Sequence, residues 1–80
     1  MNSNELTTTT TSAAEQAIAS IIAAIEEMLW TSHAQALEAK KYADEGNRNA
    51  AIGTILGLDG QMNDAAALVA AAIALHRRAP

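Results

Sequence analysis

From Ala13 onward, large apolar residues return every three or four positions. Ile18, Ile21, Ile22, Ile25, Met28 and Leu29 make one broad stripe at helical spacing, with Glu15, Gln16, Ser20, Glu26 and Glu27 on or beside the opposite face. The stripe thins through His33, Ala36, Leu37, Ala39 and Tyr42. Ser12, with Glu15 three residues later, forms a capping box, in which each side chain accepts from the other residue's backbone N–H. Asp44–Glu45–Gly46–Asn47 reads as a stop: Gly46 suits the left-handed position after a helix, and Asn47 can cap the next one. The pattern predicts a first helix over residues 13–44, with any bend falling near Trp30–Ser32.

The second half, 47–77, repeats the period through Ile52, Ile55, Leu58, Met62, Val69 and Ile73. Gly53, Gly57 and Gly60 interrupt it, and Asp59–Gly60 is a turn-type dipeptide. The segment is therefore either one continuous helix or two helices broken near 57–60. Its centre is the run Ala65 to Leu75, which is apolar on every side and built from strong helix formers. Asn63 or Asp64 can cap this run, and His76, Arg77 and Arg78 place positive charge at the negative end of its dipole. Pro80 stops any continuation. The run rises only about 16 Å at 1.5 Å per residue, roughly half a bilayer's hydrocarbon thickness, so it reads as a core helix and not as a membrane span.

Folding the chain at Gly46 sets residues whose numbers add to about 93 side by side. Ile18 then faces Leu75, Ile22 faces Ala71, Ile25 faces Leu68, and Glu15 lies near Arg77 and Arg78. Large side chains on one helix meet the alanine run on the other. The expected fold is all-α, an antiparallel helical hairpin. A helix apolar all round needs more than one neighbour, so the hairpin is expected to dimerise into a four-helix bundle. Ile18, Ile22, Ile25, Leu29, Met62, Leu68, Val69 and Ile73 are the expected core or dimer-interface residues.

Asn49–Arg78 resembles a single tetratricopeptide repeat. Gly53, Leu56, Gly60, Ala65, Val69 and Ala72 stand where that family places its packing residues, while Asn49 replaces the usual aromatic and Arg77 the usual proline. The resemblance implies a helix pair broken at Asp59–Gly60 and a surface that binds other proteins.

Composition narrows the chemistry. Eighty residues make one domain at most, and half are apolar but rich in alanine, with Trp30 and Tyr42 the only aromatics. A chain this small buries a poor share of its surface, which again favours association. Residues 1–12, with five consecutive threonines, are expected to form an unstructured polar tail, and they lack the basic and apolar regions of a signal peptide. A cytoplasmic location is the expectation. There is no cysteine, hence neither a disulfide framework nor a thiolate metal site. Net charge is −4, and Lys40–Lys41 and Arg77–Arg78 are pairs and not a stripe, which disfavours nucleic acid as a partner.

Catalysis is not expected. Neither His33 nor His76 has a Glu three residues before it, as carboxylate-bridged metal bundles require. The hairpin brings His33 near Asp59, but one His–Asp pair is a poor metal site, so no cofactor and no metal are assigned. Gly53-x-x-x-Gly57 permits close helix approach and reads as packing. Trp30, His33, Glu38 and Tyr42 are the candidate partner-binding residues, because interfaces favour Trp and Tyr anchors. The leading function is thus a non-enzymatic protein-interaction module (an adaptor, regulator or inhibitor), with a second copy and another protein as partners. A peripheral membrane helix ranks second, although the first helix is acidic where such helices are basic. A small-molecule or metal-binding bundle ranks third.

Overall fold

A computed structural model describes the backbone of residues 3–78 and the side chains of residues 13–78. Three helices follow one another: α1 (Ser3–Asp44), α2 (Arg48–Ile55) and α3 (Leu58–Arg78). Both α2 and α3 pack against α1, end to end along it. The result is an antiparallel hairpin drawn into a rod of 66 × 17 × 12 Å, with α1 as one arm and α2–α3 as the other.

The reversal at Gly46 is built from backbone and one side chain. Gly46 has φ +78°, the left-handed value that glycine adopts without a Cβ clash. Its N–H donates to the Ala43 carbonyl, and the Asn47 N–H donates to the Tyr42 carbonyl at 2.8 Å, which together close α1 as a Schellman motif. The Asn47 side chain then accepts from the Ala50 N–H and opens α2. One asparagine therefore ends the first arm and starts the second, as its sequence position predicts.

Helical backbone begins at Ser3, so the expected start at the Ser12 capping box is not observed and Ser12 lies within α1. Threonine and serine cost only about half a kcal/mol each relative to alanine in a helix, which a continuing ladder of hydrogen bonds can offset. Residues 1–2 of the expected tail, and all side chains of residues 1–12, lie outside the described part. α1 is continuous through Trp30–Ser32. The second arm does break, but at Leu56–Gly57 and not at Asp59–Gly60, which fall in the first turn of α3.

The buried and half-buried positions define the seam. On α1 they are Ala14, Ile18, Ile21, Ile25, Met28, Ser32, Gln35, Ala39 and Tyr42, at alternating steps of four and three. On the other arm Ala51, Thr54, Leu58, Gln61, Ala65, Leu68, Ala72 and Leu75 do the same, straight across the break. A mean step of 3.5 residues is the heptad seam of a two-stranded coiled coil. Every one of these second-arm positions pairs with an α1 seam position in the register whose numbers add to 93, which Ser32 and Gln61 demonstrate by a direct hydrogen bond. The expected Ile18–Leu75 and Ile25–Leu68 levels hold. Ile22 and Ala71 share a level, but both are exposed and outside the seam. The expected approach of Glu15 to Arg77 and Arg78 gives no ion pair; among the described residues the one within 4.0 Å is Lys40–Asp44.

Candidate functional site: a one-sided apolar flank

The seam leaves much apolar surface uncovered. Among the described residues, the buried set is Ala39, Ala51, Ala65 and Ser32, and no large side chain is fully buried. Ten large apolar residues stay exposed, from 39% at Ile55 to 70% at Trp30 and Leu56. Their arrangement follows from the heptad. Taking Ile18 and Ala51 as position a in their respective arms, the exposed set comprises Ile22, Leu29, Ile55, Met62 and Val69 at e, Ile52 and Ile73 at b, and Trp30, Leu37 and Leu56 at f. These three positions are consecutive around a helix, running outward from one edge of the seam.

The opposite edge, positions g and c, holds Ala17, Ser20, Ala24, Glu27, Thr31 and Ala34 on α1, and Gly53, Gly57, Gly60, Asp64, Ala67 and Ala71 on the other arm. Nothing apolar larger than alanine stands there. Two facing helices that run in opposite directions turn their e positions to the same side of the pair. The seven exposed residues at e and b therefore share one flank of the hairpin, and the other flank is small and polar. Trp30, Leu37 and Leu56 at f stand on the outer backs of the two arms, away from the seam. An open groove lined by Ala24, Glu27, Met28, Thr31 and Gln61 marks the shallow side that these small residues leave.

Along the apolar flank the e positions form rungs seven residues apart. Ile22 stands beside Val69, Leu29 beside Met62, and Ala36 beside Ile55. The rungs beyond them are polar: Glu15 with His76 at one end, and Ala43 with Arg48 at the turn end. The ladder is apolar in the middle and charged at its limits, the anatomy of an interface core with a rim.

The eight expected interface residues divide accordingly. Ile18, Ile25 and Leu68 are half-buried in the hairpin's own seam, whereas Ile22, Leu29, Met62, Val69 and Ile73 lie on the exposed flank. The four expected partner-binding residues also divide. Trp30 on the outer back of α1 and His33 on the edge of the flank stand together, ring centroids 6.2 Å apart and tilted by 42°. Tyr42 is half-buried in the seam near the turn and donates weakly to Glu38 Oε1 at 3.4 Å, and Glu38 belongs to the opposite flank.

A polar cluster at the middle of the seam has no counterpart among the expected residues. Ser32 Oγ donates to Gln61 Oε1, Gln61 Nε2 donates to Gln35 Oε1 at 2.8 Å, and Gln35 Nε2 donates to the Thr54 carbonyl at 2.6 Å. That carbonyl belongs to the last turn of α2, where carbonyls lose their helical partners. Gln35 thus inserts into the backbone ladder at the break, a recognised cause of a helix kink. Gly57 leaves room for it: a Cβ there would stand 3.2 Å from Gln35 Nε2. Tracing the 3.5-residue step through Ser32, Gln35 and Gln61 in the sequence is the signal that would have found this cluster.

The described residues hold no group of three or more metal-ligating side chains. No helix among them is long and apolar enough to cross a membrane. Compared with protein-family models, with curated proteins and with solved structures, the chain finds no match in any of the three.

Proposed function

We propose that this protein is a non-enzymatic helical interaction module, an adaptor or regulator that works by docking its apolar flank on protein. The observation that carries this reading is the segregation of seven of the ten exposed large apolar residues, those at e and b, to one side of the hairpin, with none on the opposite side. At about 200 Å² per large side chain and an exposure averaging a little under half over the seven residues, the flank presents roughly 600 Å². The largest apolar patch on a typical monomer is roughly 300–600 Å² and is often functional. A standard interface takes about 800 Å² from each partner. The heptad spacing of the rungs fits another helix, which presents apolar residues at the same interval. The tetratricopeptide-like pattern of Asn49–Arg78 points to protein binding as well.

The test is site-specific photocrosslinking in the expressing cell. A crosslinker in place of Leu29 should give protein adducts, to a second copy or to another protein. The same group at Ala34 or Ala67 on the small flank should give few or none. Equal adducts from both flanks, or none from Leu29, would remove the basis for this function.

A further inference from the structure

We infer that the occupant of the apolar flank is a second copy of this chain, laid flank to flank with both turns at the same end. Each α1 then rests on the α2–α3 arm of the other hairpin, and a four-helix bundle results. The inference depends on the reading of this flank as a protein-docking face and names what docks there.

Three observations point to the second copy. First, the seven exposed apolar residues of the flank present roughly 600 Å², the greater part of the roughly 800 Å² per partner of a stable interface, while the hairpin itself fully buries no large side chain among those described. Second, the ladder complements itself: with like ends together each apolar rung meets its own copy, and the central rung sets Leu29 against the second copy's Met62, twice. Third, charge favours this orientation over its reverse. Among the described residues, Glu15 makes no ion pair within its own hairpin. With like ends together it meets the second copy's His76 at the same level and lies close to that copy's Arg77. His33 likewise meets the second copy's Asp59, again twice by symmetry. Reversing one hairpin sets Glu15 against Ala43 and His76 against Arg48, and it separates His33 from Asp59.

The chain has no cysteine, so a single introduced thiol gives one label per copy. Glu45 is exposed beside the turn, away from the flank's apolar rungs. The Glu45→Cys protein, carrying a nitroxide, should behave as a dimer by light scattering. Dipolar spectroscopy should give a label separation below about 30 Å, since bundle helices stand 8–10 Å apart. A separation of about 45 Å, which reversed ends would give from the 1.5 Å rise per residue, overturns the inference, and so does a monomer at all accessible concentrations. A charge test sharpens it: Glu15→Arg should weaken the dimer by up to roughly fivefold at low salt, and adding His76→Glu and Arg77→Glu should restore it. A weakened dimer that the added pair fails to restore contradicts the proposed pairing. A purified monomer that still gives adducts from Leu29 to another protein in the cell refutes the second copy and leaves the docking face standing. A monomer without such adducts refutes both.

Discussion

The two halves of the hairpin seam follow one seven-residue repeat with different chemistry. Away from the turn, Ile18, Ile21, Ile25 and Met28 stand across from Leu75, Ala72, Leu68 and Ala65. Toward the turn, Ser32, Gln35, Ala39 and Tyr42 stand across from Gln61, Leu58, Thr54 and Ala51. The first half sets large aliphatic side chains and alanine together and removes apolar surface from water, with Ala65 its one fully buried member. It says little about register, since a slip of one heptad would still set aliphatic groups against aliphatic groups. The second half holds the other three buried residues, Ser32, Ala39 and Ala51, and specifies more. A heptad slip would separate Ser32 from Gln61 and strand Gln35 away from the Thr54 carbonyl, leaving polar groups without partners. Large aliphatic packing and register specificity thus reside in different stretches of one interface.

The largest expected effects come from cutting each half in turn. Ile25→Ala should lower stability by about 2 kcal/mol, the low end for such a truncation because Ile25 is only half-buried. Its native state should stay single and well ordered. Gln61→Leu should cost less, about 1 kcal/mol, through the lost partners of Ser32 and Gln35. Its signature is loss of uniqueness: several sets of amide resonances and weakened hydrogen-exchange protection, as when a buried polar group that fixes coiled-coil register is removed. Urea denaturation at one fixed protein concentration, with amide spectra on the same samples, measures both. A Gln61→Leu protein that is more stable and gives one sharp spectrum would show that the polar half specifies nothing.

Much of the hairpin was legible because its ends are set by local chemistry. Gly46 and Asn47 stop one helix and start the next through backbone and side-chain bonds that span six residues at most, and the fold point then fixes the register. The break in the second arm falls at Leu56–Gly57, at the edge of the expected 57–60, while the turn-type Asp59–Gly60 stays helical. Asp59–Gly60 has turn composition, but Asp59 is favourable in the first turn of α3, where a carboxylate suits the positive end of the dipole. The break sits at Leu56–Gly57 because Gln35, some twenty residues away in sequence, takes the Thr54 carbonyl. No local pattern encodes that. The candidate site was half legible. Ile22, Leu29, Met62, Val69 and Ile73 follow from helical spacing, although nothing in it separates Ile22 from its neighbour Ile21 in the seam. Ile52 and Ile55 join the same flank only once the two arms are reversed and set in register, and Leu37 and Leu56 stay on the outer backs of the arms.

The three glycines of the second arm, Gly53 and Gly60 in helices and Gly57 at the break, offer a smaller, two-signed test of the same division. A Cβ at Gly53 or Gly60 meets nothing within 4 Å, so alanine at either should stabilise by about 0.5–1 kcal/mol by restricting the unfolded chain. Gly57 differs, because the added methyl would crowd Gln35 Nε2. Gly57→Ala should therefore gain less than the other two or lose stability outright. Combining it with Gln35→Ala should remove the crowding but leave the Thr54 carbonyl without that donor. Equal gains at all three positions would mean that the Gln35 insertion does not hold the kink.

The smallest effect is electrostatic and lies at the turn end of the polar half. Lys40 Nζ donates to Asp44 Oδ2 at 2.8 Å across one turn of α1, with both side chains exposed. The hydrogen bond first, and the carboxylate's charge second, raise the Lys40 pKa above its ordinary 10.5. A raised pKa in the folded state means that the pair's contribution is complete below the ordinary lysine value and fades as pH climbs through the raised one. Lys40→Gln removes the charge at every pH. The gap in denaturation midpoint between the two proteins should be small and constant from neutral pH upward, shrink in high salt, and close once Lys40 itself is neutral. Titrations common to both proteins cancel in that difference. A gap that persists with Lys40 deprotonated would assign the effect to packing of the lysine stem along α1, and the ion pair would then contribute nothing to holding the end of the arm.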